Sequence, residues 1–181
     1  MTKGWKVVSN MTDGVRVVVT GHDDRGRSVV RDDRQVRRFP VPSAGTNFHL
    51  LWGADSLPHF PDDGSADDSV VPFPPVGGIR FVQMVVLPDG KADDATDNVE
   101  NVHLAEGERP GMHTTASVDC CVVIEGEVWL ELSDGVELHL KQGDSVVQNG
   151  TMHGWRNHTD QVARVGVFLV GTEHDGLAPR A

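Results

Sequence analysis

The chain has 181 residues, 38% of them hydrophobic, with 27 acidic against 16 basic side chains and a formal net charge of −11. That length suits one domain, or one domain with an extension. The charge argues against nucleic acid or an anionic membrane surface as a partner.

The opening MTKGWKVVSN lacks the apolar stretch of a signal peptide. Residues 5–9 and 15–20 read as strands on either side of a Thr12-Asp13-Gly14 turn. GHDDRGRS, residues 21–28, superficially suggests a phosphate loop. It lacks the lysine-hydroxyl pair that such a loop needs, and no helical pattern follows it. A hairpin of Val15–Thr20 with Ser28–Arg31 is expected instead, with His22 exposed at its end. Residues 32–46 are polar, carry Pro40 and Pro42, and read as a connecting arm. NFHLLWG, residues 47–53, reads as a strand with Phe48, Leu50 and Trp52 on one face and His49 and Leu51 on the other. So apolar a strand needs a cover, either the outer face of a barrel or the same strand of a second subunit.

Residues 58–78 are proline-rich and aperiodic, a long loop of the kind that lids a site or links parts. Its apolar end, VVPFPPVGG, is expected to wrap a barrel edge or cover the mouth. Two acidic stretches, 62–68 and 93–100, read as solvated loops without an EF-hand pattern. IRFVQMVVL, residues 79–87, alternates Phe81, Gln83, Val85 and Leu87 with Val82, Met84 and Val86; apolar on both sides, it is expected to be buried on both sides. Gln83 either points into the cavity as a polar substrate or water contact or has a structural role. Residues 88–109 are loop-like, with His103 on a short surface strand.

From Gly111 onward the alternation is regular. Val128, Leu130 and Leu132 oppose Glu127 and Glu131, and turns follow at Ser133-Asp134-Gly135, Gln142-Gly143-Asp144 and Asn149-Gly150. In the last strand Val165, Val167 and Leu169 oppose Arg164, Gly166, Phe168 and Val170, with Phe168 either core or pocket wall. Adjacent Cys120 and Cys121 point to opposite faces of a strand and cannot pair without strain, so a reducing, cytoplasmic setting is expected. Cys121 shares a face with Asp119 and reads as an inert buried thiol. No apolar run approaches the roughly 18 residues of a membrane-spanning helix.

Two histidines, His113 and His153, and one carboxylate, Asp119, stand among these short strands. Here the sequence resembles the cupins. The first cupin motif, a histidine pair followed by a carboxylate and a glycine, falls on His113, Thr115, Asp119 and Gly126; the second falls on Gly143, Gly150, His153 and Asn157. Thr115 replaces the second histidine, aspartate replaces glutamate, Gln148 stands where proline is expected, and the second motif is one residue short. The resemblance implies an all-β double-stranded β-helix, a jelly-roll barrel with an N-terminal strand extension. Residues 1–78 would hold the N-terminal strands, arm and loop, 79–171 the barrel and 172–181 a tail. It also implies a homodimer formed through the N-terminal strands.

Two imidazoles and a carboxylate suit one divalent transition ion, Fe, Zn, Mn, Ni or Cu, with His113, Asp119 and His153 as ligands. The alternative is that Asp119 caps a turn and the histidines sit at a wet barrel mouth. If not a ligand, Asp119 is the candidate catalytic base. The expected lining is Phe81, Gln83, Met112, Cys121, Val123, Trp155 and Phe168, of which Gln83, Trp155, Phe168 and Phe81 would contact a small neutral or aromatic molecule. Similar single-domain cupins include cyclases, isomerases, decarboxylases and dioxygenases. A non-catalytic ligand-binding module and a degenerate metal-free barrel are the other two readings.

Overall fold

A computed structural model describes residues 14–36, 39–40, 46–65, 70–91, 102–104 and 109–176. The strand expected over residues 5–9 and the acidic stretch 93–100 lie outside the described residues. Among the described residues there are thirteen strands: β1 (Val15–His22), β2 (Ser28–Val36), β3 (Phe39–Pro40), β4 (Thr46–Ala54), β5 (Ile79–Val86), β6 (Val102–Leu104), β7 (His113–Thr115), β8 (Ser117–Glu125), β9 (Glu127–Leu132), β10 (Glu137–Lys141), β11 (Ser145–Asn149), β12 (His153–Arg156) and β13 (Ala163–Gly171). Among the described residues no helix is long and apolar enough to cross a membrane.

β1 and β2 form a separate hairpin. The other strands make a five-stranded sheet in the order β10-β9-β12-β7-β6 and a six-stranded sheet in the order β11-β8-β13-β5-β4-β3. Non-sequential neighbours joined antiparallel in two facing sheets are the jelly-roll double-stranded β-helix. The core lies between the sheets. Val82, Met84, Val123, Val165 and Val167 come from the six-stranded side, and Val128, Leu130 and Trp155 from the other. The strand period places these side chains without further help. At the β8–β9 corner Gly126 takes φ +76°, and an added Cβ would stand 3.1 Å from Ala163, so the tight corner favours glycine.

The hairpin is longer than its sequence suggests. β2 runs on to Val36, taking in part of the expected connecting arm, where Asp33, diagonal to Arg16 across the pair, accepts two 2.8 Å hydrogen bonds from it. Asp23 caps the turn by accepting from the backbone N–H of Arg25 and Arg27. The loop after β4 ties the hairpin down: His22 N–H donates to the Asp62 carbonyl at 2.8 Å, and Arg31 pairs with Asp63. His22 is therefore half-buried, and the head of the first acidic stretch is a fastening.

On β4, Phe48 and Leu50 pack on the core. A bulge between Leu50 and Trp52 sets Trp52 opposite Phe81, on the outer face. His49 is buried on that outer side, its Nδ1 3.2 Å from the Val36 carbonyl of β2. The chain's own hairpin and core thus cover this strand.

The apolar loop closes one end of the barrel. Phe73 is buried in the core, Gly77 N–H donates to the Gly171 carbonyl, and Gly171 N–H donates to that of Gly78. Arg80, 0% exposed, donates to the carbonyls of Val71 and Ala54 and to Asp55 Oδ1. A Cβ at Gly171 would lie 1.9 Å from the Pro75 carbonyl oxygen. Gly171→Ala is therefore expected to cost about 1–3 kcal/mol by overpacking. Urea titration should show a lower midpoint with unchanged slope, and an unchanged midpoint would mean the loop is not pinned there.

Candidate functional site

β7 and β12 pair so that His153 stands directly opposite His113. Their ring centroids are 4.3 Å apart, and both side chains are buried. Each ring is held by a carbonyl two residues back in the chain. His113 Nδ1–H donates to Gly111 O at 2.9 Å, and His153 Nδ1–H donates to Thr151 O at 2.9 Å. A carbonyl can only accept, so these contacts fix the proton on Nδ1 and leave Nε2 with its lone pair. Burial drives His153 down to about 3, with His113 adding to the shift. Burial lowers His113 as well, and the Arg156 charge adds to the effect. Both imidazoles are neutral at pH 7.

Asp119 comes from the neighbouring β8, which turns it inward with Ser117 and Cys121. It is 6% exposed. Its Oδ1 accepts from the Ser117 hydroxyl at 2.6 Å, and its Oδ2 from the Thr115 hydroxyl at 3.4 Å. Burial raises its pKa to about 6, against the opposing pull of those two hydroxyls. The Cys121 thiol, buried beside it, is pushed up to about 12, so it is no nucleophile. Cys120 is exposed.

His113, Thr115, Asp119 and His153 form the polar floor of one pocket enclosing about 360 Å³, open mouth included. Its walls are Phe48, Phe73, Val82, Met84, Trp155, Val167 and Leu169. Among the described residues that line it there is no lysine or arginine.

Of the expected contacts, Trp155 lines the pocket, but Phe81, Gln83 and Phe168 do not. Phe81 and Phe168 are partners across β5 and β13 on the outer face, 43% and 41% exposed, and Gln83 accepts there from Arg164 at 3.2 Å. The reason is register. Leu169 pairs with Asp119 and Val167 with Cys121, so the face of β13 that follows the inward carboxylate is the Val167–Leu169 face. On strands apolar on both sides, alternation alone does not say which face is inner. Met112 and Val123 are buried but stand outside the pocket. Asn157, buried, donates to the carbonyls of Val86 and Gln161 and serves the fold.

Ser117 and the walls Phe48, Phe73, Val82, Met84, Val167 and Leu169 are not in the expected lining. Ser117 had a signal, two positions before Asp119 on an alternating strand. Phe73 had none, since its loop is aperiodic.

Two neutral imidazoles with free Nε2 atoms and held Nδ1–H groups have the chemistry of metal ligands. Asp119 completes no third corner: among the described residues no group of three His, Cys, Asp or Glu stands within reach of one ion. Its carboxylate is short and turned to Ser117 and Thr115. The donor set offers an ion two imidazole nitrogens, with the Asp119 carboxylate in the same pocket.

The buried carboxylate has a pH signature. Its folded pKa of about 6 lies above the ordinary 3.8. The fold therefore favours the protonated form, and that stabilisation is present below about pH 4 and lost as pH rises through about 6. In metal-free protein Asp119→Asn is expected to be the more stable form at pH 7, by up to about 3 kcal/mol, with the advantage gone at pH 4. Thermal melts at the two pH values check this. Equal stability at pH 7 would contradict the burial of a charge.

Comparison with known proteins supports one family. The Cupin domain model matches residues 101–170. Phomopsin biosynthesis cluster protein C′ of Diaporthe leptostromiformis is 49% identical over 142 residues, 78% of this chain and 69% of that one. The chain belongs to the cupin superfamily. This cupin is also 35% identical to Oryzines biosynthesis cluster protein J of Aspergillus oryzae over 62% of its own length, and spans 57% of that relative. It is 28% identical to a cupin-domain-containing oxidoreductase of Neurospora crassa over 79% of its length and 66% of that protein. Among solved structures, the polyketide cyclase RemF of Streptomyces resistomycificus aligns with TM-score 0.45 and 17% identity, covering 74% of this cupin and 72% of that chain.

Proposed function

We propose that the protein is a cupin enzyme acting on a small, neutral organic molecule, with His113 and His153 holding a divalent transition ion and Asp119 serving as base. The carrying observation is the pair of neutral imidazoles facing each other across β7 and β12, each with its N–H committed to a backbone carbonyl. When bound, the ion would supply Lewis-acid polarisation of a substrate oxygen, or redox chemistry if it is iron or copper.

The chain's own residues define the rest. Asp119, with a pKa near 6, is largely ionised at neutral pH yet basic enough to take a proton from an activated C–H or O–H. Ser117 holds Oδ1 at 2.6 Å, and the longer Thr115 contact leaves Oδ2 as the atom that receives the proton. The apolar walls exclude water and favour an uncharged substrate, since the described lining offers no cation to an anion. Relatives named for oryzine and phomopsin biosynthesis clusters support a role in making a specialised small molecule. The neighbouring cysteines, one exposed and one buried, support a reducing cytoplasmic setting. Thr115, a hydroxyl beside the two imidazoles, favours a second reading as a non-catalytic ligand-binding cupin.

Cobalt(II) titrated into chelator-stripped protein tests the metal reading. Visible bands saturating at one equivalent, and absent in His113→Ala, are expected. A featureless titration would leave the binding-module reading in its place.

A further inference from the structure

His158, in the turn between β12 and β13, stands between two carboxylates from different parts of the fold. Its Nδ1 lies 2.7 Å from Asp89 Oδ2, in the turn after β5, and its Nε2 lies 2.8 Å from Glu137 Oε2, on β10. An ionised carboxylate only accepts, and a neutral imidazole carries one N–H. Both contacts are hydrogen bonds only when the ring carries both protons, so the arrangement describes an imidazolium. The Glu137 and Asp89 hydrogen bonds hold its pKa above the ordinary 6.5, against the opposing pull of burial. The third neighbour is the Trp129 ring of β9, 4.7 Å away, which also stacks on His139, itself paired with Glu127. From Glu137 the bonds run on. Its Oε1 accepts from Arg109 Nη1 at 3.1 Å, the same nitrogen donates to buried Glu131 at 2.8 Å, and Glu131 accepts from Arg156 at 2.5 Å. Three cations, His158, Arg109 and Arg156, thus face three carboxylates, Asp89, Glu137 and Glu131.

The two arginines grip the turn that orients His113. Arg109 opens that turn, its carbonyl accepting from Met112 N–H at 3.1 Å, and Arg156 donates to the Pro110 carbonyl at 2.7 Å. Gly111 follows at φ +87°, and its carbonyl holds His113 Nδ1. We propose that His158 is a remote positioning residue, a proton-operated latch whose charge sets how firmly the Gly111 carbonyl holds the His113 ring. Its effect on an ion rests on the reading of His113 as a metal ligand. With the proton on, the network is balanced. When the proton leaves to solvent, one carboxylate faces a lone pair and the network holds one surplus negative charge near Glu131, which is buried. A buried carboxylate depends on its partners, because water does not reach it to compensate. Glu137, without His158, competes with Glu131 for the shared Arg109 nitrogen, and the turn that carries Arg109 follows. The firm state is therefore present at low pH and is lost as pH rises through the folded pKa of His158.

Two-bond proton–nitrogen NMR spectra of the imidazoles in the metal-free protein, taken from about pH 6 to about pH 9, test this. Both His158 nitrogens should carry protons at the acid end, and the His113 ring signals should shift with the His158 midpoint. His158→Arg, a cation at every pH in the range, should hold His113 at its acid-end position throughout. His158→Gln should hold it at the alkaline one. In the wild type, cobalt(II) affinity should fall about 10-fold between the protonated and neutral states of His158, the size of effect seen when the support behind a metal ligand is lost. That step should be missing in both variants. A His158 ring with a single proton at the acid end would overturn the inference. So would His113 signals that ignore the His158 titration, or that shift equally in His158→Arg. A protein that binds no cobalt at any pH would end the metal reading alone, because the His113 shift is read without metal.

Discussion

His153→Ala is expected to abolish metal retention and turnover while leaving the barrel folded. The imidazole is one of two facing donors, and its Nδ1–H is already spent on Thr151 O, so Nε2 is the atom it offers an ion. Losing an outer-shell partner of a metal ligand typically costs about 10–100-fold in affinity; losing the ligand itself should cost more. β12 remains paired to β9 from His153 to Arg156, so far-UV circular dichroism should not change. The variant should also lose part of the wild type's acid sensitivity. In the wild type His153 is neutral when folded and protonates near its ordinary value when unfolded, so stability falls as pH drops below about 6.5. Metal content, and the slope of melting temperature between pH 4 and 7, check both statements. A His153→Ala protein that keeps its full metal content would remove His153 from the site.

Arg156→Met is expected to be the most destabilising single change outside the core. Glu131 lies on the outer side of β9 yet is only 2% exposed, held between Arg156 Nε at 2.5 Å and Arg109 at 2.8 Å. Removing one partner of a buried pair strands the other charge, at about 3–5 kcal/mol. For a chain of this length that is a fall of roughly 6–20 °C in melting temperature. The double variant Arg156→Met/Glu131→Leu should recover most of it, because an apolar pair replaces a buried ionic one at little cost. Calorimetry that found the single variant within ~2 °C of wild type would show Glu131 to be solvated. The effect reaches the site. Arg156 also donates to the Pro110 carbonyl at 2.7 Å, and the next residue, Gly111, supplies the carbonyl that orients His113. Arg156 is thus a positioning residue, and its loss should weaken cobalt binding as well as the fold.

How far the sequence carries can be read from single strands. Where one face is polar, as in β9 with Glu127 and Glu131 against Val128 and Leu130, alternation assigned the core side correctly. The motif glycines Gly126, Gly143 and Gly150 all adopt positive φ, so the turns were legible too. β5 and β13 are apolar on both faces, and there the inner face is set by pairing with β8. That is long-range information, and Phe81, Gln83 and Phe168 were accordingly placed on the wrong side. The bulge in β4 broke a period-two count in the same way at Trp52. His113, Asp119 and His153 do converge on one pocket, as the motif implied. The hydroxyl grip of Ser117 and Thr115 on Asp119 depends on side-chain distances that no spacing encodes.

Elemental analysis by mass spectrometry, on protein purified without chelator or histidine tag, decides whether His113 and His153 hold an ion. Close to one equivalent of iron, manganese, nickel, copper or zinc per chain is expected in the wild type and in Asp119→Asn, and none in His113→Ala or His153→Ala. A wild type that holds no ion even after reconstitution would contradict that expectation.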